Sequence, residues 1–190
     1  MADFADVFRH VSSNMARVAD SAYIDAVGRA TDLLQETFAS GRKLLVFGNG
    51  GSSSDAQHLT AELVGRFSRE RAPLPAIALT TNQAILTAWS NDYAFEDVFA
   101  RQVEALGLAG DVAFGISTSG TSANVVNALR RARERGLRTI GLTGQSGGTM
   151  GAHCDVLLAV PLAETARIQE GHLVTYHAIC AALEERLFRA

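Results

Sequence analysis

A chain of 190 residues, 47% of them hydrophobic, can bury roughly 70% of the surface its unfolded form exposes, which suits one globular domain over 1–190. A formal net charge of −3 and an isoelectric point near 5.9 argue against a polyanion-binding protein, which would carry a clearly basic face. No apolar run approaches the ~18 residues of a membrane span, so neither nucleic acid nor a membrane is an expected partner.

The opening segment, Met1 to Asp6, carries two aspartates and no long apolar core. No secretory or transit segment is expected from it, and the cytoplasm is the expected compartment. Phe4, Val7, Phe8, Val11, Met15 and Val18 then recur at helical spacing, and Ile24, Val27, Leu33, Leu34 and Phe38 repeat the pattern before Gly41. Two amphipathic helices within 1–40 follow from this, with more apolar surface than one sheet needs, which points to self-association.

Beyond Gly41, short apolar runs alternate with longer helical stretches. Leu44 to Phe47, Ala76 to Leu79, Val112 to Ile116, Thr139 to Leu142 and Val156 to Val160 read as strands buried on both faces. Ser53 to Arg66, Asn82 to Glu104 and Ser122 to Arg135 are long enough for crossover helices. The cluster Arg130, Arg131, Arg133, Arg135 and Arg138 reads as a solvated helix end. A last helix, about Thr165 to Phe188, has no strand after it. Cys154 and Cys180 lack metal-type spacing and sit among apolar neighbours, as buried free thiols do. The expected fold is an α/β three-layer sandwich of the flavodoxin-like kind, a five-stranded parallel sheet flanked by helices.

In such a sheet, ligands bind beyond the carboxyl ends of the strands. The first strand is followed by Gly48-Asn49-Gly50-Gly51-Ser52-Ser53-Ser54-Asp55 and at once by a helix. Glycines let backbone approach an anion, and a helix start offers free N–H groups and a positive dipole end. A dinucleotide fingerprint would want glycine at 53, and a Walker loop would want a lysine. Neither is present, and a plain turn with a Ser or Asp cap accounts for the loop taken alone. After the third strand, Ser117-Thr118-Ser119-Gly120-Thr121-Ser122 carries more hydroxyls than one cap needs and can donate to phosphate oxygens. Thr143-Gly144-Gln145-Ser146-Gly147-Gly148 adds a third small-residue turn at the same edge.

His58 and Glu62 lie four apart on the helix after the first glycine loop, on one face and within reach of a common atom. Gln169 and His177, eight apart on the last helix, drift by about 80° and converge loosely. Read by themselves, Glu62 is equally a partner for Arg66, four residues on, and His177 equally a packed histidine.

The segments GNGGSSSDAQHLTAELVGRF, PAIALT, SND, GISTSGTSANV, GLTG and RIQEGHLVTYH together resemble the sugar isomerase (SIS) domain family, and within it the phosphoheptose isomerases along essentially the whole chain. The resemblance implies an aldose–ketose isomerase converting sedoheptulose 7-phosphate to D-glycero-D-manno-heptose 7-phosphate through an enediol. That is a first step towards ADP- or GDP-heptose for bacterial surface sugars such as lipopolysaccharide. It implies Glu62 as base and His177 as partner acid/base, with one zinc per subunit held by His58, Glu62, Gln169 and His177. Asn49, Gly50, Gly51, Ser52, Asn91 and Asp92 would contact the sugar chain, with Arg66 lining the site. Ser117, Thr118, Ser119 and Ser122 would hold the phosphate.

A homotetramer with sites at subunit interfaces is implied as well. His172 and Glu170 read as structural, and His10 and His153 as surface residues. The pattern departs from the family at Ala166, where relatives often carry aspartate. Two other readings stand beside this one. The first is a non-catalytic phosphosugar-binding scaffold of the kind associated with replication initiation. The second is an isomerase of a shorter ketose phosphate.

Overall fold

The structure is a computed structural model and describes residues 3–188. Met1, Ala2, Arg189 and Ala190, which the single-domain expectation over 1–190 includes, lie outside the described residues. Two helices come first, α1 (Phe4–Ala19) and α2 (Tyr23–Ala39). Asp3 begins α1 by accepting the Ala5 N–H at 2.9 Å, which satisfies one of the helix's free donors. The chain then alternates through β1 (Leu44–Gly48), α3 (Gly51–Val64), β2 (Ala76–Ala78), α4 (Gln83–Asp92), α5 (Val98–Leu106) and β3 (Val112–Ile116). It continues with α6 (Ala123–Glu134), β4 (Arg138–Gly144), β5 (Val156–Val160) and α7 (Thr165–Leu187). Among the described residues, no helix is long and apolar enough to cross a membrane.

The five strands are all parallel, in the order β2-β1-β3-β4-β5, as expected for a flavodoxin-like sheet. Strand period divides their side chains between two cores. Leu44 and Val46 join Leu34, Leu59, Leu63, Tyr176, Ile179 and Leu183 on the side of α2, α3 and α7. Leu45 and Phe47 join Phe99, Val103, Val125 and Leu129 on the side of α5 and α6. Helices cover both faces of β1, β3 and β4, so their continuous apolar runs are explained; β2, expected to be buried on both faces, is an edge strand that leaves Ile77 exposed.

Chain order and sheet order together create the site's location. From β1 the chain goes to β2 on one side and to β3 on the other, so the crevice between β1 and β3 is the switch point of the sheet. Gly48 and Ile116 are register partners there, and the two small-residue loops leave the sheet side by side.

Several details differ from expectation. The stretch 82–104 is two helices, because the chain leaves helical geometry at Tyr93 (φ −132°, ψ −103°). A short 3-10 turn, Phe95–Asp97, follows, and Asn127 on α6 donates to the Glu96 carbonyl and the Asp97 carboxylate. A second 3-10 turn spans Thr149–His153. Cys180 is buried but Cys154 is only partly so, and burial pushes both thiols up to about 12. The arginine cluster is exposed for the most part and meets acidic partners: Arg131 pairs with Glu104 and Glu134, and Arg133 and Arg138 with Asp155.

The loops after β3 and β4 are pressed together. A Cβ added at Gly120 (φ +69°) would lie 2.5 Å from the Gly147 carbonyl oxygen, and one at Gly148 (φ +55°) 2.4 Å from Gly120. Only glycine combines that backbone with that closeness. Gly120→Ala is therefore expected to cost about 1–3 kcal/mol through overpacking, measured as a lower urea midpoint. An unchanged midpoint would contradict this packing.

Candidate active site

On α3, Ala56, Leu59 and Leu63 face the core, which turns Asp55, His58 and Glu62, spaced three then four, along a neighbouring face. That face meets α7. His58 Nε2 lies 3.0 Å from Glu62 Oε1, and the His58 and His177 rings stand edge to face with centroids 5.0 Å apart. One ligand atom each from His58, Glu62 and His177 fall within 4.8 Å of one another. The structure thus joins three of the predicted residues from two helices more than a hundred positions apart.

Gln169 lies instead against the start of α3, at Gly51, seven residues before His58. A Cβ at Gly51 would lie 2.4 Å from Gln169 Nε2, so the missing side chain is what admits the amide. Arg66 does not form the alternative pair with Glu62: its Nε pairs with Glu70 at 2.9 Å. The reason is direct, since Glu62 is turned toward His58 while Arg66 lies past the end of α3 in solvent.

His177 Nε2 is buried with no hydrogen-bond partner among the described residues. Burial and the neighbouring His58 both push its pKa below the ordinary histidine value, partly opposed by Glu62. A buried acceptor beside a carboxylate and a second imidazole is an unfinished coordination set. The residues fit a zinc-type cation, whose usual protein ligands are His nitrogen and carboxylate oxygen.

The segment after α3 is held from α7. Glu184 accepts from the Phe67, Ser68 and Arg69 N–H groups at 2.9–3.0 Å and pairs with Arg71 at 3.0 Å, both side chains being about 1% exposed. Burial alone would raise the Glu184 carboxyl. The bonds from Phe67, Ser68 and Arg71 outweigh it and hold the pKa at about 2. Arg71 in turn donates to the Leu63 and Glu62 carbonyls, closing the end of α3. Phe67 then lies against His177, with ring centroids 5.3 Å apart.

The hydroxyl loop after β3 is compact. Ser117, buried, has its Oγ 2.9 Å from Ser122 Oγ and 3.4 Å from Ser119 Oγ. Ser122 begins α6 yet makes no side-chain capping bond; its hydroxyl bonds Ser117 instead, at a helix start suited to an anion. Asn49 and Asn124 exchange two hydrogen bonds of 2.8 and 2.9 Å, tying the β1 loop to the start of α6. Ser52 is buried, while Gly50 supplies a turn with φ of 55°.

A hollow of about 320 Å³ opens beside this loop, lined by Thr118, Ser119, Thr121, Gln145, Ser146 and Thr165 among others. It takes in hydroxyls of the loop and none of His58, Glu62 and His177. The acid and imidazole groups lie instead on the more open α3–α7 face, with His58 exposed and Glu62 and His177 partly so.

Asn91 and Asp92 sit exposed at the end of α4, bonded to each other. Among the described residues no hydrogen bond joins them to the other candidates. His172 is fully buried beside Thr143, and burial lowers it to about 4. Glu170 pairs with Arg167 at 2.9 Å, His10 is exposed, and His153 is partly buried. Ala166 is exposed in the first turn of α7.

Reading by sequence missed two neighbours of the cluster. Asp55 was visible only as a cap, and Tyr176 only as a letter of the RIQEGHLVTYH segment. Tyr176 OH lies 3.0 Å from His58 Nδ1 and 3.4 Å from Asp55 Oδ1.

Comparison with known proteins agrees with this geometry. The SIS domain matches residues 7–144. A phosphoheptose isomerase from Geotalea daltonii is 57% identical over 162 residues, covering 85% of this chain and 84% of that one. One from a Bradyrhizobium strain is 54% identical over 176 residues, covering 92% and 89%. Among solved structures, the phosphoheptose isomerase of Neisseria gonorrhoeae superposes with a TM-score of 0.89 at 43% identity, covering 95% of this chain and 96% of that one. That of Francisella tularensis does so at 0.91 and 37%, covering 96% of each. With the sheet, the loops and the α3–α7 cluster all in place, the chain belongs to the SIS domain family and, within it, to the phosphoheptose isomerases.

Proposed function

We propose that this chain is an aldose–ketose isomerase converting sedoheptulose 7-phosphate to D-glycero-D-manno-heptose 7-phosphate, a first step towards heptose for bacterial surface polysaccharide. The observation that carries the reading is the convergence of Glu62 and His177 on one point of the α3–α7 face. Relatives named phosphoheptose isomerase at 52–60% identity support the substrate class.

In the reaction, Glu62 takes a proton from C1 of the ketose. The C1–H electrons form the C1–C2 double bond, and the C2 carbonyl becomes an enediolate oxygen. Return of the proton from Glu62 to C2, with loss of the O1 proton as the C1 carbonyl forms, gives the aldose. His177, with a pKa lowered by burial, is the group that exchanges protons with the two oxygens. Ser117, Thr118, Ser119 and Ser122 hold the phosphate through hydroxyls and the α6 start. Asn49, Gly50, Gly51, Ser52, Asn91 and Asp92 meet the sugar chain, and Arg66 lines its rim.

One zinc per subunit would be held by His58, Glu62, Gln169 and His177. When bound it supplies charge stabilisation at the enediolate oxygens. We place the enzyme in the cytoplasm as one domain over 1–190, assembled as a homotetramer with sites at subunit contacts. The support for assembly is the apolar face left open by Phe4 and Phe8 of α1, 80% and 77% exposed.

Purified protein incubated with sedoheptulose 7-phosphate, after chelation and after zinc addition, is expected to yield the aldose 7-phosphate, and faster with zinc. Sugar phosphate bound without turnover under either condition would make the chain a binding module and overturn the proposal.

A further inference from the structure

On the α3 face that carries His58 and Glu62, Asp55 lies one turn nearer the N-terminus, and its Oδ2 is buried with no hydrogen-bond partner among the described residues. Tyr176, about 1% exposed, closes over it from α7. Its hydroxyl is 3.4 Å from Asp55 Oδ1 and 3.0 Å from His58 Nδ1, while His58 Nε2 is 3.0 Å from Glu62 Oε1. Four polar groups therefore form one line: Asp55, Tyr176, His58, Glu62.

A phenol has one proton to give and lone pairs to receive another. Two arrangements of the line follow. If His58 carries its ring proton on Nε2, that proton goes to Glu62, Nδ1 accepts from Tyr176, and Asp55 receives nothing. If the ring proton sits on Nδ1, it is donated to the Tyr176 oxygen and the Tyr176 proton passes to Asp55. Only the second arrangement gives the Asp55 carboxylate a donor, at Oδ1, and it leaves an Nε2 lone pair facing Glu62 and His177.

We infer that Asp55 and Tyr176 are positioning residues which hold His58 in the Nδ1-protonated form, its Nε2 lone pair aimed at the point shared with Glu62 and His177, ready for a divalent cation. Carboxylate and hydroxyl partners on the far nitrogen of a histidine commonly set its tautomer and ring direction for metal binding. This deepens the proposed zinc site and rests on it. The Tyr176 ring also stands edge to face against the His58 ring at 5.4 Å. Tyr176→Phe keeps that packing and deletes only the hydroxyl.

The test uses the full-length protein stripped of metal. Zinc affinity is measured by competition with a chromogenic chelator, cobalt(II) spectra are recorded, and unfolding temperature is taken without metal. Tyr176→Phe and Asp55→Asn are expected to bind zinc roughly 10–100-fold more weakly and to shift the cobalt spectrum, with metal-free unfolding close to wild type. Tyr23→Phe, whose hydroxyl bonds Thr175 at 2.7 Å instead, is expected to bind zinc as wild type does. Zinc binding within twofold of wild type in both cluster variants overturns the inference. So does an affinity loss accompanied in both by loss of the metal-free fold. A wild type that binds no zinc refutes the metal site itself, a different result from a wild type that binds alongside unaffected variants.

Discussion

Glu62→Gln and His177→Gln are each expected to lower aldose formation from sedoheptulose 7-phosphate at least ~100-fold, the usual contribution of a positioned acid or base. Glutamine at 62 keeps the length of the side chain and a polar end whose amide can donate to His58 Nε2, 3.0 Å from Glu62 Oε1 in the wild type. What it loses is the ability to carry a proton between carbons. At 177 the change removes an imidazole whose Nε2 is buried without a partner, so no protein hydrogen bond at that atom is broken. Both variants should therefore unfold near the wild-type temperature. Either variant retaining more than a tenth of the activity would remove that residue from the proton path.

Glu184→Ala is expected to give the largest loss of stability. The substitution leaves the Arg71 guanidinium, about 1% exposed, without its counter-charge, and three backbone N–H groups without an acceptor. Breaking one side of a buried ion pair typically costs about 3–5 kcal/mol, which for a chain of this size lowers the unfolding temperature on the order of 10 °C. The same carboxylate gives the protein an acid limit. Its pKa is held at about 2 against an ordinary 4.5, so the native state favours the charged form. That stabilisation is complete above about pH 4.5 and is lost as pH falls toward 2. Thermal unfolding between pH 7 and 3 should show a steeper decline in wild type than in Glu184→Ala. Parallel declines, or a loss under about 1 kcal/mol at pH 7, would contradict the role given to this pair.

The effect on activity should follow from position. Glu184 and Arg71 fix the segment that lays Phe67 on His177, and Arg71 binds the Glu62 carbonyl. A variant that still folds is expected to lose turnover as the imidazole loses its support.

Much of this was legible in the sequence because it is local. The strands buried on both faces read as apolar runs, and β1, β3 and β5 fall within a residue of their runs. β4 is longer at both ends than its apolar run, from Arg138 to Gly144, because pairing with β3 and β5 continues through residues that are not apolar. The break at Tyr93 was hidden. Nothing in Ser90-Asn91-Asp92 forbids a helix outright, and the turn after it is bonded by Asn127, thirty residues later.

The site divides in the same way. His58 and Glu62 share a helix, so their spacing alone brings them together. The line from Asp55 to Tyr176 joins positions 121 apart and depends on how α3 crosses α7, which no local pattern encodes. The Glu62–Arg66 alternative failed for a related reason. Arg66 lies beyond the end of α3, where helical spacing no longer applies, and it meets Glu70 there.

The most direct measurement is conversion of sedoheptulose 7-phosphate in deuterated water, followed by NMR with wild type and Glu62→Gln. Glu62 is partly exposed and exchanges its proton with solvent while the enediol stands, so the account predicts aldose 7-phosphate carrying solvent deuterium at C2 from the wild type and essentially none formed by the variant. Aldose free of deuterium, made equally well by Glu62→Gln, would contradict proton transfer through Glu62.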